Sequence, residues 1–218
     1  MTGRFITFEG GEGCGKTTQS RMLAAHLRGM GHEVVTTREP GGTAGAEIIR
    51  NLLLTNEGDG WNPRAEALLF AAARSDHVEK LIRPTVEREG WVVCDRYLDS
   101  SRAYQGGGGG LSEEDLLDLH RIGSEGFLPD MTILLEVPPD EVARRLELRD
   151  AGVNDRIGGR DPEYHAKVAD AFRSFADREP QRFLRIDAVG DAETIHARIL
   201  AEVTKSFCAV AGLQPAHP

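Results

Sequence analysis

The sequence predicts a three-layer α/β fold, a mostly parallel sheet covered by helices on both faces. Three observations carry the prediction. Five apolar runs of strand length recur along the chain, and helical patterns fill the intervals between them. The first unit is "RFITFE", "GGEGCGKTTQ", "SRMLAAHLRGMG", which reads as a strand, a glycine-rich turn and an amphipathic helix. The chain has 218 residues, 40% hydrophobic and 28% charged, which suits one domain with a full core.

The elements follow in order. Strands are predicted at 4–9, 33–37 ("EVVTT"), 91–95 ("WVVCD"), 131–136 ("MTILLE") and 183–187 ("FLRID"). Helices are predicted at 16–29, 44–54, 64–88, 112–125, 139–149, 162–178 and 191–210. Strands alternating with helices imply parallel pairing. "QGGGGG" at 105–110 is read as a flexible loop, and "LQPAHP" at the end as a loose tail. No internal repeat or linker is visible. In such a fold, ligands bind at the carboxyl ends of the strands, where the unusual polar residues of this chain cluster.

The first turn is the most informative of these ends. Gly10, Gly15, Lys16 and Thr17 fit G-x-x-x-x-G-K-[ST], and a strand and a helix flank them. The glycines let backbone N–H groups curl around an anion, and the helix adds its positive end. Lys16 can reach outer phosphates, and Thr17 can offer a hydroxyl to Mg²⁺. The spacing does not fit G-x-G-x-x-G, so the turn is read for a nucleoside triphosphate rather than a dinucleotide.

Other strand ends carry paired readings. Arg38 opens "REPGGT" and is either a surface arginine or a ligand group. Asp95 and Arg96 end the third strand; they form a plain ion pair, or Asp95 orders Mg²⁺ beside the phosphate turn. Phe70 and Arg74, four apart, share one helix face and are either core and surface residues or a clamp on a flat heterocycle. From 144 to 160, five arginines, Arg149, Arg156 and Arg160 among them, face Glu147, Asp150 and Asp155. That stretch is a solvated loop or a lid over transferring phosphates.

Composition narrows the class. A net charge of −9 argues against broad nucleic-acid binding. No apolar run is long enough for a membrane span, and the chain goes directly into a strand, so no signal peptide is expected. Cys14, Cys94 and Cys208 have no metal spacing and suit a reducing cytoplasm. Cys14, inside the phosphate turn, is read as a small residue filling a tight place.

Together, "FITFEGGEGCGKTTQ", "TREPGGT", "LLFAAAR", "CDRY", "SSRAYQGGG", "FLPDMTILLEV" and "NDRIGGR" resemble the thymidylate kinases, P-loop nucleoside monophosphate kinases. The resemblance implies a P-loop NTPase-like five-stranded parallel sheet in one domain over 1–218, with a mobile lid at about 149–161. It implies transfer of the γ-phosphoryl group of ATP to dTMP with Mg²⁺, in dTTP synthesis, by a cytoplasmic homodimer. It assigns the ATP phosphate site to Gly10, Gly11, Glu12, Gly13, Cys14, Gly15, Lys16, Thr17 and Thr18, with Thr17 and Asp95 at the metal. Glu12 also lies near the acceptor sugar. Arg38 and Arg96 clamp the acceptor phosphate, Phe70 stacks on thymine, and Arg74 donates to its O4. Ser101 helps read the base edge, Tyr104 underlies the sugar and disfavours a 2′-hydroxyl, and Gln105 lies nearby.

Some members carry a basic residue where this chain has Cys14, and those without it place arginines in the lid. Arg149, Arg156 and Arg160 are therefore the candidates, beside Lys16 and Arg96, to stabilise charge on the transferring group, with Arg156 first. The rival readings are a kinase for another nucleotide or deoxynucleoside, and a P-loop regulatory ATPase.

Overall fold

β1 (Arg4–Glu9) runs through the middle of a five-stranded sheet ordered β2–β3–β1–β4–β5, and every neighbouring pair is parallel. The computed structural model of the chain describes residues 3–55, 60–149 and 159–211. The other strands are β2 (Val34–Arg38), β3 (Trp91–Asp95), β4 (Met131–Glu136) and β5 (Phe183–Asp187). The three central strands are buried almost throughout, whereas β2 and β5 are partly exposed edges. The apparent alternation in "RFITFE" therefore does not mark a solvated face. Thr7 is buried and donates to Thr132 Oγ1 at 3.0 Å, and Glu9 is buried under the neighbouring turn.

Helices cover both faces. α1 (Lys16–Gly29) and α9 (Ala192–Ala211) pack Leu23, Leu27, Ile195 and Ile199 against Ile6, Phe8 and Ile133. α2 (Ala44–Leu54) and α3 (Pro63–His77) are capped by Thr43 and Asn62, whose side chains accept from Ala46 N and Ala65 N. α3 continues through a turn of π-helix, Val78–Ile82, into α4 (Arg83–Glu87). Pro84 cannot donate the i→i−4 bond, so the ladder widens just before it. α5 (Leu98–Ser101), α6 (Glu113–Ser124), α7 (Pro139–Arg149) and α8 (Pro162–Arg178) complete the described helices. On this second face Phe5 meets the Tyr97 ring edge-on at 4.8 Å, inside a cluster with Val78, Ile82 and Leu98.

The glycine run corrects its reading as a flexible loop. α5 continues as a π-helical segment, Arg102–Gly108, whose residues 102–105 are buried. A Cβ on Gly107 would stand 2.6 Å from Ala171 Cβ, and one on Gly108 would stand 2.4 Å from the Tyr164 ring. The glycines let α8 approach this segment closely, which fixes Tyr104 and Gln105 rather than freeing them.

Behind that contact lies a buried ionic cluster. Asp99 is fully buried and accepts from Arg102 Nη1 at 2.7 Å and from Arg182 Nη1 at 2.6 Å. Burial opposes its ionisation, but Arg182 and Arg102 outweigh that and hold the carboxyl below its ordinary value. The cluster ties α5 to the loop before β5, and Arg182 also reaches Glu179 at the end of α8. Removing one partner leaves two guanidinium groups short of counter-charge. Asp99→Ala is therefore expected to destabilise the fold by about 3–5 kcal/mol, read from urea unfolding midpoints.

Candidate active site

The ends of β1, β2 and β3 and the helices beside them meet around a cavity of about 380 Å³. Its floor is the turn between β1 and α1. Gly10, Gly13 and Gly15 have φ of 136°, 69° and 94°, which curls the backbone as the motif requires. A Cβ at Gly10 would also lie 2.6 Å from Leu135 O. Lys16 Nζ donates to Gly11 O at 2.6 Å and to Gly10 O at 3.2 Å, so the ammonium spans the turn. Cys14 is buried in the apolar cluster with Ile6 and Phe8, as its small-residue reading expects. Its side chain does not line the cavity, whereas Gly13, Gly15, Lys16, Thr17 and Thr18 do.

The turn after β3 faces this floor. Arg96 adopts φ 69°, a left-handed conformation, and its N–H donates to Phe8 O at 2.9 Å. Its Nη2 reaches Glu12 Oε1 at 2.5 Å, and its Nη1 reaches Gly10 O and Ser100 Oγ, each at 3.2 Å. The Arg96 guanidinium lies over the Tyr104 ring at 4.9 Å, and Tyr104 OH donates to Glu12 Oε1 at 3.2 Å. Arg96, and secondarily Lys16, hold the Glu12 carboxyl at about 2 against the opposing effect of burial. Glu12 is thus an anion at any neutral pH. Thr17 Oγ1 donates to Asp95 Oδ2, which sets a hydroxyl and a carboxylate oxygen side by side at the start of α1. Two hard oxygen donors suit Mg²⁺, which binds few protein ligands and completes its shell with water and phosphate oxygens. Among the described residues no cluster of three or more acidic, histidine or cysteine side chains could hold a metal, so a site of higher protein coordination is not formed there.

The far wall is apolar and then polar. Phe70, on α3, lines the cavity half-buried, one turn from Arg74. Arg74 is 3% exposed. Its Nε donates to Glu39 Oε2 at 2.8 Å, and its Nη2 donates to Ser101 Oγ at 2.8 Å and Tyr97 O at 3.2 Å. Ser101 is thus in the wall through its bond to Arg74. Gln105 lines the cavity while its Nε2 donates to Glu66 Oε1 at 2.9 Å. Arg38, last in β2, lies at the mouth and donates from Nη2 to both oxygens of Glu47 at 3.0 Å.

The lid candidates separate. Arg160 does not reach the cavity lining; its Nη2 pairs with Glu66 at 2.7 Å and its Nη1 donates to Tyr164 OH at 2.6 Å. Arg156 lies outside the described residues, as does the side chain of Arg149. Sequence reasoning also passed over Glu39, Arg50, Ser100 and Arg145, all of which line the cavity. Arg145 had a signal, because it sits four residues before Arg149 on one helix face. Ser100 and Glu39 had none beyond proximity to marked residues.

Glu9 lies directly beneath the site. It is fully buried and accepts from Tyr97 N at 2.8 Å, Ser100 N at 3.2 Å and Ser100 Oγ at 2.6 Å. Burial, and then the charge of Asp99, raise its carboxyl from 4.5 to about 8. The unfolded chain releases this proton near 4.5 and the folded chain near 8. Between those values the folded state holds more proton, so Glu9 makes stability fall as pH rises. Glu9→Gln is expected to flatten that fall, measured by urea unfolding at about pH 5 and about pH 8. An unchanged slope would assign the titration to another group.

Comparison with known proteins agrees with this arrangement. A family profile described as thymidylate kinase matches residues 8–199. A thymidylate kinase of Rhizorhabdus wittichii is 55% identical over 200 residues, covering 92% of this chain and 96% of the relative. One from Bradyrhizobium sp. (strain BTAi1) is 44% identical over 211 residues, covering 96% and 93%. The crystal structure of a thymidylate kinase from Ehrlichia chaffeensis superposes with a TM-score of 0.76 at 32% identity, covering 93% of this chain and all of that one. With the phosphate turn, the β3 turn and the Phe70–Arg74 wall around one cavity, and relatives matched along nearly their full length, the chain belongs to the thymidylate kinase family of enzymes.

Proposed function

We propose that this enzyme transfers the γ-phosphoryl group of ATP to dTMP, giving ADP and dTDP, with Mg²⁺, and so serves dTTP synthesis. The observation that carries the reading is one continuous cavity with a phosphate turn at one end and an aromatic–arginine wall at the other, with Arg96 and Glu12 between them. ATP phosphates bind at Gly10–Thr18, and thymine binds between Phe70 and Arg74, whose donors match O4. Tyr104 lies below the sugar, and Arg38 and Arg96 meet the acceptor phosphate. Thr17 and Asp95 would hold Mg²⁺, which would supply positive charge beside the transferring phosphates.

The chemistry asks this chain for position and counter-charge rather than a strong base. A phosphate monoester oxygen is already largely ionised near neutral pH. Lys16 and Arg96 offset the repulsion between two anions brought together. Glu12 keeps Arg96 oriented across the turn. Arg149 and Arg156 are the lid arginines that the family pattern offers in place of the basic residue absent at Cys14. Arg160 pairs with Glu66 and donates to Tyr164 OH.

A homodimer is supported by the exposed Ile48 and Leu52 on α2, Leu68 on α3, and Leu117 and Ile122 on α6. α3 packs against both α2 and α6, and these side chains offer apolar area for a second copy. Cytoplasmic residence suits the substrates and the free buried thiols of Cys14 and Cys94. No helix among the described residues is long and apolar enough to cross a membrane.

Incubation with ATP, Mg²⁺ and a panel of nucleosides and monophosphates tests the reading. ADP is expected to form only with an acceptor, with dTMP far ahead of dCMP, whose 4-amino group opposes a donor with a donor. Acceptor-independent hydrolysis would instead select an ATPase, and equal use of dTMP and dCMP would remove Arg74 from base reading.

Two variants separate binding from chemistry. Arg96→Ala is expected to weaken dTMP binding itself. Arg156→Ala is expected to lower kcat on the order of a thousandfold with little change in KM for dTMP. Steady-state kinetics reads both, and a near-normal kcat for Arg156→Ala would move that role to Arg149 or Arg160.

A further inference from the structure

Behind Arg74 runs a chain of buried hydrogen bonds that reaches away from the cavity. Arg74 Nε donates to Glu39 Oε2 at 2.8 Å. The other oxygen of Glu39, Oε1, is 3.0 Å from His77 Nδ1. His77 Nε2 is 2.8 Å from Thr37 Oγ1. Glu39 and Arg74 are buried, and His77 is fully so. Only one proton arrangement with a neutral ring satisfies both contacts. Nδ1–H donates to the carboxylate, and the threonine hydroxyl donates to Nε2. Gly42 seals the far end. Its φ is +88°, and a Cβ there would stand 2.4 Å from Thr37 Oγ1 and 2.5 Å from His77 Nε2. The glycine lets the turn after β2 lie directly over the Thr37–His77 bond.

This chain determines how Arg74 can face the substrate. With Nε held by Glu39 and Nη2 held by Ser101 and Tyr97 O, the guanidinium plane cannot rotate. Nη1 takes no part in those bonds. Glu39 in turn is fixed at both oxygens, because His77 occupies the one that Arg74 leaves. Burial opposes the Glu39 charge, and Arg74 and His77 outweigh it, so the carboxyl is held below its ordinary value. An untethered Glu39 could turn and release Nε, and the donor edge would no longer have one direction.

We propose that Thr37 and His77 are positioning residues that set the choice of base, acting through Glu39 on Arg74. The proposal rests on the reading of dTMP as substrate, and it deepens that reading. Neither Thr37 nor His77 lines the cavity, so an effect on base choice must pass through the hydrogen-bonded chain.

The test uses three acceptors. dTMP and dUMP both present O4, whereas dCMP presents an amino group at the same place. In Thr37→Val and His77→Ala, the ratio of kcat/KM for dTMP over dCMP is expected to fall at least about tenfold. The ratio of dTMP over dUMP, which depends on the 5-methyl group, is expected to stay within about twofold, as is KM for ATP. His77→Asn, whose amide nitrogen stands near the place of Nδ1 and can still donate to Glu39, is expected to restore most of the dTMP over dCMP ratio. Thr37→Val removes one hydroxyl at nearly constant volume, so it reports even where His77→Ala folds poorly. A dTMP over dCMP ratio within twofold of the unaltered enzyme in folded Thr37→Val would overturn the proposal. So would parallel losses in both ratios, which would mark a general loosening of the site. Failure of the unaltered enzyme to use dTMP at all would instead overturn the function proposed above.

Discussion

The parallel pairing of β1 with β3 sets Phe8 opposite Asp95, and the Arg96 N–H then donates to Phe8 O at 2.9 Å. That backbone contact joins two turns that are distant in sequence. The phosphate turn leaves β1 one residue beyond Glu9, and the β3 turn leaves at Arg96. Because the strands run parallel and in register, both turns emerge at the same end and the same height. Thr17 meets Asp95, and Glu12 meets Arg96, as consequences of this one register. A slip of one residue would turn Asp95 to the opposite face of the sheet and carry the β3 turn away from the phosphate turn.

Buried carboxyl groups below and around the cavity hold its shape. Glu9 accepts two backbone N–H groups and a hydroxyl from the segment 97–100, so the β3 turn is held from beneath. Asp99, two residues from Tyr97, is held from the other side by Arg102 and Arg182. The ionised Asp99 costs desolvation and offsets it only through pairing with both arginines, whereas Glu9 avoids that cost by keeping its proton. What they achieve is a turn with few alternative geometries. Arg96, in a left-handed conformation, depends on that restraint.

Arginines serve both purposes in this molecule, and burial tells them apart only partly. Arg102 and Arg182 are locked in carboxylate clusters away from the cavity. Arg74 is as buried as Arg102, yet it belongs to the cavity wall. Arg160, a candidate for the transferring group by sequence, contacts Glu66 and Tyr164 in this structure. The difference is geometric. A guanidinium has donors on several edges, and its role depends on which edge stays toward the ligand.

The sequence by itself determined the layers, the element order and the phosphate turn. Strand and helix periodicity is a local property, and predicted bounds at 16–29, 44–54, 91–95, 131–136 and 183–187 match the observed elements. Gly10, Gly15, Lys16 and Thr17 are legible because the geometry they serve is built within one short segment. The tertiary structure decided what depends on neighbours far along the chain. "QGGGGG" reads as loop by composition, yet it is packed by Tyr164 and Ala171, which its own residues cannot reveal. Glu39 and His77 look like an ordinary turn acid and a helix histidine. Their meaning comes from a buried hydrogen bond across 38 positions, and no local pattern encodes it. Hydrogen bonding in a low-dielectric interior is decided by distance and direction to a partner, so it becomes visible only when the chain is folded.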